Sequence, residues 1–180
     1  RQAFEQIPWI RSALVRREFP NRLSVTLDEF QPVALWGFEG DGKFLSVEGA
    51  IFEVNADDVD SESLPLLKGP ESQAKTVLEM YKFLKPMLAK MDMALDRLEL
   101  SQRGSWTAQL ATGATLELGH GTHQEISDRL QLFFKTLTQV ASRYGRTVTS
   151  LLSADLRYDN GYALRLRGVS TVVPDGLKKP

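Results

Sequence analysis

Residues 149–169 read TSLLSADLRYDNGYALRLRGV, and they are the most informative part of the chain. Asp159-Asn160-Gly161 indicates a turn between two strand-like runs, because asparagine and glycine adopt a positive φ at little cost. After the turn, apolar residues alternate with small or basic ones: Tyr162, Leu164 and Leu166 against Ala163, Arg165 and Arg167. This alternation, with a period of two residues, predicts a strand with an apolar inner face and a basic outer face.

Little chain remains after Gly168 to pair with this last strand. We therefore predict that it lies at an edge of the sheet, with a row of backbone N–H and C=O groups free for a partner. Such an edge can accept an extended segment of another protein by β-augmentation. Of the N–H groups of Ala163 and Arg165, only one is expected to face outward, so proline at one of these positions should disturb partner binding more than at the other.

The composition is that of an ordinary globular protein, with 42% hydrophobic and 25% charged residues in a chain of 180. A net charge of -1 argues against a nucleic-acid-binding surface, which usually needs a basic excess. The absence of cysteine excludes disulfides, thiolate catalysis and cysteine-ligated zinc. No run is apolar enough to span a bilayer, and no signal peptide is visible. Because the chain begins with Arg1 and not Met, we expect an upstream segment, in which a membrane anchor could lie.

The rest of the chain shows both strand-like and helical patterns. A helix is predicted to end at Ile7, before Pro8. Strand-like runs are found at 10–19, 23–27, 33–36, 44–47, 51–54, 106–110 and 115–118. Helical spacing follows Gly69-Pro70 as far as Met91, and Pro86 is expected to kink that helix or end it early. The order of the elements predicts an α+β fold, with helices covering a mostly antiparallel sheet.

The clearest helix follows a capping box formed by Thr122 and Glu125, and Gly145 ends it. Its apolar residues recur at spacings of three and four, as one buried stripe requires. The stripe comprises Ile126, Leu130, Phe133, Leu137, Val140 and Tyr144. Phe133 is expected at its centre.

His120, His123 and Glu125 are the candidate ligands for a metal-dependent hydrolase, since imidazole and carboxylate suit zinc. The two histidines are the only such pair, their spacing is loose, and apart from Glu125 no third ligand is marked. A strand-to-helix turn, with Glu125 in a capping role, is the simpler interpretation.

The acidic run Asp57, Asp58, Asp60 and Glu62 lacks the glycine and the spacing of a calcium loop, so we interpret it as a solvated loop. No nucleophile elbow, phosphate loop or dinucleotide fingerprint is present. Arg157 lies between Asp155 and Asp159, an arrangement suited to ion pairing. The residues make no positive case for an enzyme or a cofactor.

A set of short motifs runs in order along nearly the whole chain. They are Pro8-Trp9-Ile10, Arg16-Arg17, Phe19-Pro20, Glu29, Pro32, Ala34, Trp36, Gly49, Phe52, Leu64-Pro65, Gly69-Pro70, Arg103, Trp106, Leu118-Gly119, Asp155-Leu156-Arg157-Tyr158-Asp159 and Gly161. With these motifs the chain resembles the periplasmic region of the FtsQ/DivIB family of bacterial cell-division proteins, and the proteobacterial branch in particular. Asn160 departs from the serine that is frequent in the family.

The resemblance implies an architecture of three parts. Residues 1–35 would be the C-terminal part of a POTRA domain, residues 36–173 the FtsQ-type β-domain, and residues 174–180 a flexible tail. The family carries one transmembrane helix ahead of the POTRA domain, so the fragment would be the periplasmic part of an inner-membrane protein at the division septum. A POTRA-type protein of outer-membrane assembly or translocation is an alternative, but the chain shows no repeat.

The resemblance also implies a function without catalysis or cofactor. The family is a scaffold of the divisome and binds the FtsB and FtsL coiled-coil proteins, linking early and late division proteins to septal peptidoglycan synthesis. A C-terminal segment of FtsB adds to the last strand of the β-domain. The expected partner-binding residues are Arg103, Arg157, Tyr158, Asn160, Gly161, Tyr162, Ala163, Leu164 and Arg165. Arg103 and Arg157 would bind partner carboxylates, and Tyr158 would be the anchor.

The tail from Pro174 to Pro180 is polar and rich in proline, glycine and lysine, so it should contribute little to folding. Deletion of Asp175 to Pro180 is expected to leave the melting temperature and partner binding nearly unchanged. A large loss of either in thermal denaturation or titration would show that the tail packs on the domain or on the partner.

Overall fold

A computed structural model gives the structure of the chain and describes Ile7 and residues 9–54, 60–61, 63–158 and 161–170. Several predictions concern other residues. They are the helix before Pro8, the acidic loop around Asp57 and Asp58, the turn at Asn160 and the tail from Pro174, and all of these stay predictions.

The described elements form two sheets and two α-helices. A hairpin comprises β1 (Ile10–Glu18) and β2 (Arg22–Glu29). The nine strands of the larger sheet are β3 (Pro32–Trp36), β4 (Lys43–Ser46), β5 (Ile51–Glu53), β6 (Leu66–Lys68), β7 (Leu95–Leu100), β8 (Trp106–Leu110), β9 (Thr115–Gly119), β10 (Leu151–Asp155) and β11 (Ala163–Leu166). The helices are α1 (Ala74–Ala89) and α2 (His123–Arg143). Neither of these described helices is long and apolar enough to cross a membrane.

The larger sheet has the strand order β11-β10-β9-β8-β7-β6-β3-β4-β5. Strand β10 runs parallel to β9, and β6 runs parallel to both β3 and β7, whereas the other neighbours are antiparallel. The predicted α+β class is confirmed, although the sheet is mixed. Two of the three parallel pairs arise because α1 connects β6 to β7 and α2 connects β9 to β10, since parallel neighbours need a long crossover. The third pair, β3 with β6, is joined by the part of the chain that contains β4 and β5.

Both helices pack on one face of this sheet. Leu98, Ala108, Leu116 and Ala154 are register neighbours on that face, and each is at most 1% exposed. They share one core cluster with apolar side chains of α1 and α2. Full burial of one such aliphatic or aromatic side chain contributes about 1.5–3 kcal/mol, so this layer is the main source of stability. The opposite face carries polar residues such as Thr107, whose hydroxyl donates to Glu117 at 3.0 Å.

Helix α1 continues past Pro86 and ends at Ala89, so the proline does not stop it. Proline removes the N–H that would bond to the carbonyl of residue i−4, here Lys82. Both Pro86 and Lys82 are exposed, so water can satisfy that carbonyl. Pro86 therefore does not end α1, because it lies on the side of the helix that faces solvent.

Helix α2 has the predicted capping box, in which the Thr122 N–H donates to the Glu125 carboxylate at 2.7 Å. Gly145 follows the helix at a φ of +64°, as predicted for its end. The buried stripe differs in its last turn: Ala141 is buried there, whereas Tyr144 is 53% exposed. Tyr144 is the C-cap with non-helical backbone angles, so its side chain leaves the stripe.

The hairpin joins the larger sheet through residues around Phe30. The Phe30 N–H donates to the Trp9 carbonyl at 2.9 Å, and the Phe30 ring stacks on Phe52 with centroids 5.0 Å apart. Arg11 pairs with Glu48 at 2.6 Å. The predicted domain boundary after residue 35 falls inside β3, which belongs to the larger sheet. The division of the chain into domains stays a prediction.

Phe133 is fully buried at the centre of α2, as predicted, whereas its neighbour Phe134 is only partly buried. Phe133→Ala is expected to destabilise the protein by about 3–5 kcal/mol, the usual cost of truncating a buried phenylalanine. Phe134→Ala, the matched control, should cost clearly less. Equal losses in chemical denaturation would contradict this assignment of the helix face.

Candidate partner-binding edge

Strand β11 is the outermost strand at one end of the sheet. The order of the described strands begins with β11, which pairs with β10 alone and antiparallel to it. The prediction of an edge is therefore confirmed for the part of the chain that the structure describes. The open side of such a strand presents backbone groups that a further strand can bind.

The pairing of β10 determines which backbone groups of β11 stay free. The Leu156 N–H donates to the Glu117 carbonyl of β9 at 2.8 Å. Because backbone direction alternates along a strand, Ala154 also points its N–H and C=O at β9. Ser153 and Asp155 therefore point theirs in the opposite direction, at β11.

The prediction that only one of the Ala163 and Arg165 N–H groups faces outward is wrong. Ala163 and Arg165 are the register partners of Asp155 and Ser153, so both face β10. Residues two apart on a strand point their backbone groups the same way. The N–H and C=O of Leu164, which lies between them, face the open side. Leu164 is therefore the position at which the backbone is available to a partner.

The inner face of β11 packs on α2, as the alternation predicted. The Tyr162 hydroxyl and the Thr136 hydroxyl are 2.7 Å apart and share a hydrogen bond. The Tyr162 ring meets Phe133 edge-on, with centroids 5.1 Å apart. Leu166 is 4% exposed. These contacts fix the strand against the core, so the side chain of Tyr162 faces the protein and its backbone lies at the edge.

Arg157 is held by Asp155 in a bidentate ion pair on the polar face. The Arg157 Nε donates to Asp155 Oδ1 at 2.8 Å, and Nη2 donates to Oδ2 at 2.6 Å. The Arg157 backbone N–H also donates to Oδ1, at 3.1 Å. The Arg157 side chain is nevertheless 57% exposed, against 22% for Asp155. The pair therefore orients the guanidinium and leaves Nη1 without a partner among the described residues.

This pair also keeps the carboxylate ionised. The side-chain hydrogen bonds from Arg157 are the largest cause of a pKa of Asp155 below its ordinary value of 3.8, and the backbone N–H of Arg157 acts in the same direction. Partial burial opposes the shift. In return, Asp155 raises the pKa of Arg157. Both groups are thus charged at neutral pH, and any partner carboxylate meets an arginine that is already oriented.

The end of β9 lies beside this arginine. Gly119 has a φ of +76°, and a Cβ built there would lie 2.9 Å from the Arg157 Cγ. Any larger residue would be strained and would push Arg157 away. Tyr158, the next residue, is 57% exposed. Its ring is thus available to a partner and does not cap the core.

Arg103 lies in the turn between β7 and β8 and is exposed. That turn is closed by the Ser101 N–H, which donates to the Ser105 carbonyl at 2.9 Å. Trp106, the first residue of β8, is the register partner of Gly119. Because Gly119 also contacts Arg157, both predicted partner-binding arginines lie at the same end of the sheet.

Arg129 is a residue that the sequence interpretation missed. From α2 it donates to the Leu118 carbonyl at 2.9 Å and to the His120 carbonyl. It thereby satisfies the carbonyls at the end of β9, next to Gly119. In the sequence, Arg129 follows Glu125 by four residues, which suggests an ordinary ion pair on the helix surface. Only the structure shows that the Arg129 side chain bonds to the carbonyls of Leu118 and His120.

The remaining predicted residues have separate surroundings. The His123 ring meets Phe83 edge-on, with centroids 4.9 Å apart, and Glu125 binds Thr122 in the capping box. Gly161 has open space where a Cβ would stand. Asn160 lies outside the described residues.

The chain matches known cell-division sequences. The model described as cell division protein FtsQ/DivIB, C-terminal, matches residues 34–157, and that described as POTRA domain, FtsQ-type, matches residues 1–30. Cell division protein FtsQ of Burkholderia pseudomallei is 38% identical over 94% of the chain and 65% of its own length. The FtsQ of Thiomonas arsenitoxydans is 35% identical (93% and 61%), and that of Escherichia coli K12 is 32% identical (91% and 57%). The chain thus spans less than two thirds of the length of each of these relatives. The matches confirm the resemblance to the family.

The Asp155–Arg157 pair predicts a pH-dependent contribution to stability. Because the pKa of Asp155 is lowered in the folded protein, the contribution is fully present above the ordinary value of 3.8 and is lost as pH falls through the lowered value. Asp155→Asn should therefore lower the melting temperature at pH 7 and make much less difference at pH 2. Thermal denaturation of parent and variant across this range measures the effect.

Asp96→Asn is the control, since it removes another partly exposed carboxylate beside an arginine, 3.4 Å from Arg97. The same melting-temperature difference for Asp155→Asn at pH 7 and pH 2 would show that the pair does not contribute in this way.

Proposed function

Because the chain belongs to the FtsQ/DivIB family of cell-division proteins, we propose that it is a non-enzymatic scaffold of the bacterial divisome. In this proposal it binds the FtsB and FtsL subcomplex in the periplasm and links early and late division proteins to septal peptidoglycan synthesis. The chain would be the periplasmic part of a single-pass inner-membrane protein at the septum. The observation that carries the proposal is the open edge of β11, which has the exposed residues Arg157 and Tyr158 near its start and the exposed Arg103 at the same end of the sheet.

The backbone of β11 would supply the affinity for the partner. An extended FtsB segment adds beside β11 and bonds to the outward N–H and C=O of Leu164. Neither group bonds to β10, so the new strand displaces no hydrogen bond of the described sheet. Ala163 and Arg165 would hold β11 on the sheet from its other side, and Gly161 would leave room for the partner chain at the start of the strand.

Arg157 and Arg103 would select an acidic partner. Asp155 occupies Nε and Nη2 of Arg157, which leaves the donors of Nη1 for a partner carboxylate. An oriented guanidinium loses less side-chain freedom on binding than a mobile one does. Arg103, at the same end of the sheet, would bind a second acidic residue further along the partner.

Tyr158 would be the anchor of the interface. It is more than half exposed in the free protein, so its ring can bury new area on binding while the hydroxyl keeps a hydrogen-bond partner. Tyrosine is enriched among the residues that dominate interface energies. Asn160 would contact the partner next to Gly161.

Tyr158→Ala tests the anchor. Binding of a synthetic peptide with the C-terminal sequence of FtsB is expected to weaken by about 2 kcal/mol or more, roughly thirtyfold in Kd. The exposed ring contributes little to the core, so the melting temperature should stay close to that of the parent. Titration calorimetry and thermal denaturation measure the two effects. Unfolding of the variant, or unchanged peptide binding, would rule out this role for Tyr158.

A pair of substitutions at Leu164 tests the backbone. Leu164→Pro removes the outward N–H, and edge strands tolerate proline where the N–H faces solvent. Leu164→Ala is the matched control, because it loses the same side-chain packing and keeps the N–H. The proline variant should lose most peptide binding, whereas the alanine variant retains it. Equal binding by the two would contradict β-augmentation at this position.

Ala163→Pro completes the series, since its N–H faces β10. This variant is expected to lower the melting temperature through loss of a ladder hydrogen bond. Ala163→Pro and Leu164→Pro thus separate damage to the sheet from damage to the binding edge. If the Ala163→Pro variant were stable but did not bind the peptide, the backbone groups of Ala163 and Arg165, and not those of Leu164, would face the open side of β11.

A further inference from the structure

A groove lies at the other end of the molecule, where the hairpin meets the larger sheet. It encloses about 500 Å³. It is lined by Trp9, Glu29, Phe30, Pro32, Phe52, Val54 and Asp60. We call it the aromatic groove. It lies beside β5, and β5 and β11 are the two outermost strands of the nine-stranded sheet. The groove is therefore separate from the edge proposed to bind FtsB.

The aromatic groove is built on contacts between the hairpin and the sheet. The hydrogen bond from the Phe30 N–H to the Trp9 carbonyl holds the two aromatic residues next to each other. The Phe30 ring stacks on Phe52 at an angle of 19° between ring planes, and Phe52 is 6% exposed. These contacts fix the floor of the groove before any ligand binds.

Trp9 is the unusual member of this set. The residue is 42% exposed, whereas Trp36 and Trp106 are 2% and 4% exposed. An exposed indole is costly in water and offers the strongest π-face among side chains for a cation. In the described part of the chain, the arginine nearest to Trp9 in sequence, Arg11, is already paired with Glu48 and Asp28, at 2.6 and 3.5 Å.

The charge of the groove has one sign. Its charged lining residues are Glu29 and Asp60, and its described lining includes no lysine, arginine or histidine. Both carboxylates are exposed. A groove with an aromatic wall and carboxylates at its rim attracts a cation and repels an anion, because the ring face and the carboxylates act in the same direction.

The open side of β5 lies beside the aromatic groove. The Val54 N–H donates to the Gly42 carbonyl at 3.1 Å, and the Ser46 N–H donates to the Ala50 carbonyl at 2.8 Å. By alternation, Ile51 and Glu53 point their backbone groups away from β4. Among the described strands none lies beside these groups, so an extended peptide chain next to the groove would meet donors and acceptors of the main chain.

From these observations we propose that the aromatic groove binds an extended segment of a second partner protein through a lysine or arginine side chain. The cation lies against the Trp9 indole, between the carboxylates of Glu29 and Asp60. Because β5 and β11 are opposite ends of the sheet, this partner and the partner at β11 bind at the same time. The chain would then join two proteins through two separate docking surfaces.

The probe is the peptide acetyl-Val-Lys-Pro-Lys-Val-amide, titrated into the ¹⁵N-labelled chain. The indole N–H signal of Trp9 reports on the groove, since the other two tryptophans are buried. The lysine peptide is expected to shift this signal in a saturable manner, more weakly at high salt. A peptide with glutamine in place of both lysines should leave it unmoved. No shift with the lysine peptide, or an equal shift with both peptides, would overturn the proposal.

Variants locate the binding site. Trp9→Leu keeps an apolar side chain and removes the π-face, so the Kd should rise about threefold or more, read from the backbone amide signals around Phe52. The double variant Glu29→Gln with Asp60→Asn should weaken binding at least as much, and it retains the Trp9 reporter. Glu79→Gln with Asp92→Asn is the matched control, because it removes the same charge from exposed positions outside the groove.

Equal binding by the Glu29/Asp60 variant and its control would overturn the proposal, since only net charge would then matter. Circular dichroism checks that Trp9→Leu folds. If Trp9→Leu does not fold, the double variant Glu29→Gln with Asp60→Asn tests the site instead. Tyr158→Ala should leave binding of the lysine peptide unchanged. Loss of binding in Tyr158→Ala would place this peptide at β11 and overturn the second surface, whereas failure of the FtsB peptide alone would concern β11 only.

Discussion

The hydrogen bond from the Leu156 N–H to the Glu117 carbonyl sets the register on which the rest of the edge depends. It places β10 parallel to β9, and backbone alternation then assigns every neighbouring group to one side or the other. Asp155 and Ser153 hold β11, Leu164 faces outward, and the Asp155 side chain falls on the polar face beside Arg157. A shift of one residue at β10 would exchange these roles and turn the apolar face of the strand to solvent.

The geometry near Arg157 rests on a second layer of contacts. Arg129 reaches from α2 to the carbonyls of Leu118 and His120 and so ties the helix to the end of β9. Gly119 leaves the space that the stem of Arg157 fills. Arg129 from α2 and the stem of Arg157 thus both lie beside Gly119 at the end of β9.

Much of the fold was predictable from local signals. The alternation from Tyr162 to Arg167 predicted β11 and its two faces, and the Thr122–Glu125 capping box with Gly145 predicted the limits of α2. The parallel pairs were not predictable, because alternation within a strand does not reveal the direction of its neighbour. Helix α1 continues to Ala89 past Pro86, because the effect of the proline depends on whether the freed carbonyl meets water, and the kink stays a prediction. The outward direction of the Leu164 backbone could be assigned only from the register of β11 with β10. The role of Arg129 could be recognised only from the packing of α2 on the sheet.

Strand β11 has only four residues and pairs with β10 on one side. The buried side chain of Leu166 and the ring of Tyr162, which precedes the strand, attach it to the core. A short outer strand of this kind exchanges its amide hydrogens through local opening, at a free energy well below that of global unfolding. A strand added outside it would turn β11 into an interior strand, so opening would require the partner to leave first. The Tyr162 ring rests on Phe133, and the same event would damp motion at the centre of α2. Strand β11 would thus gain its full rigidity only in the assembled state.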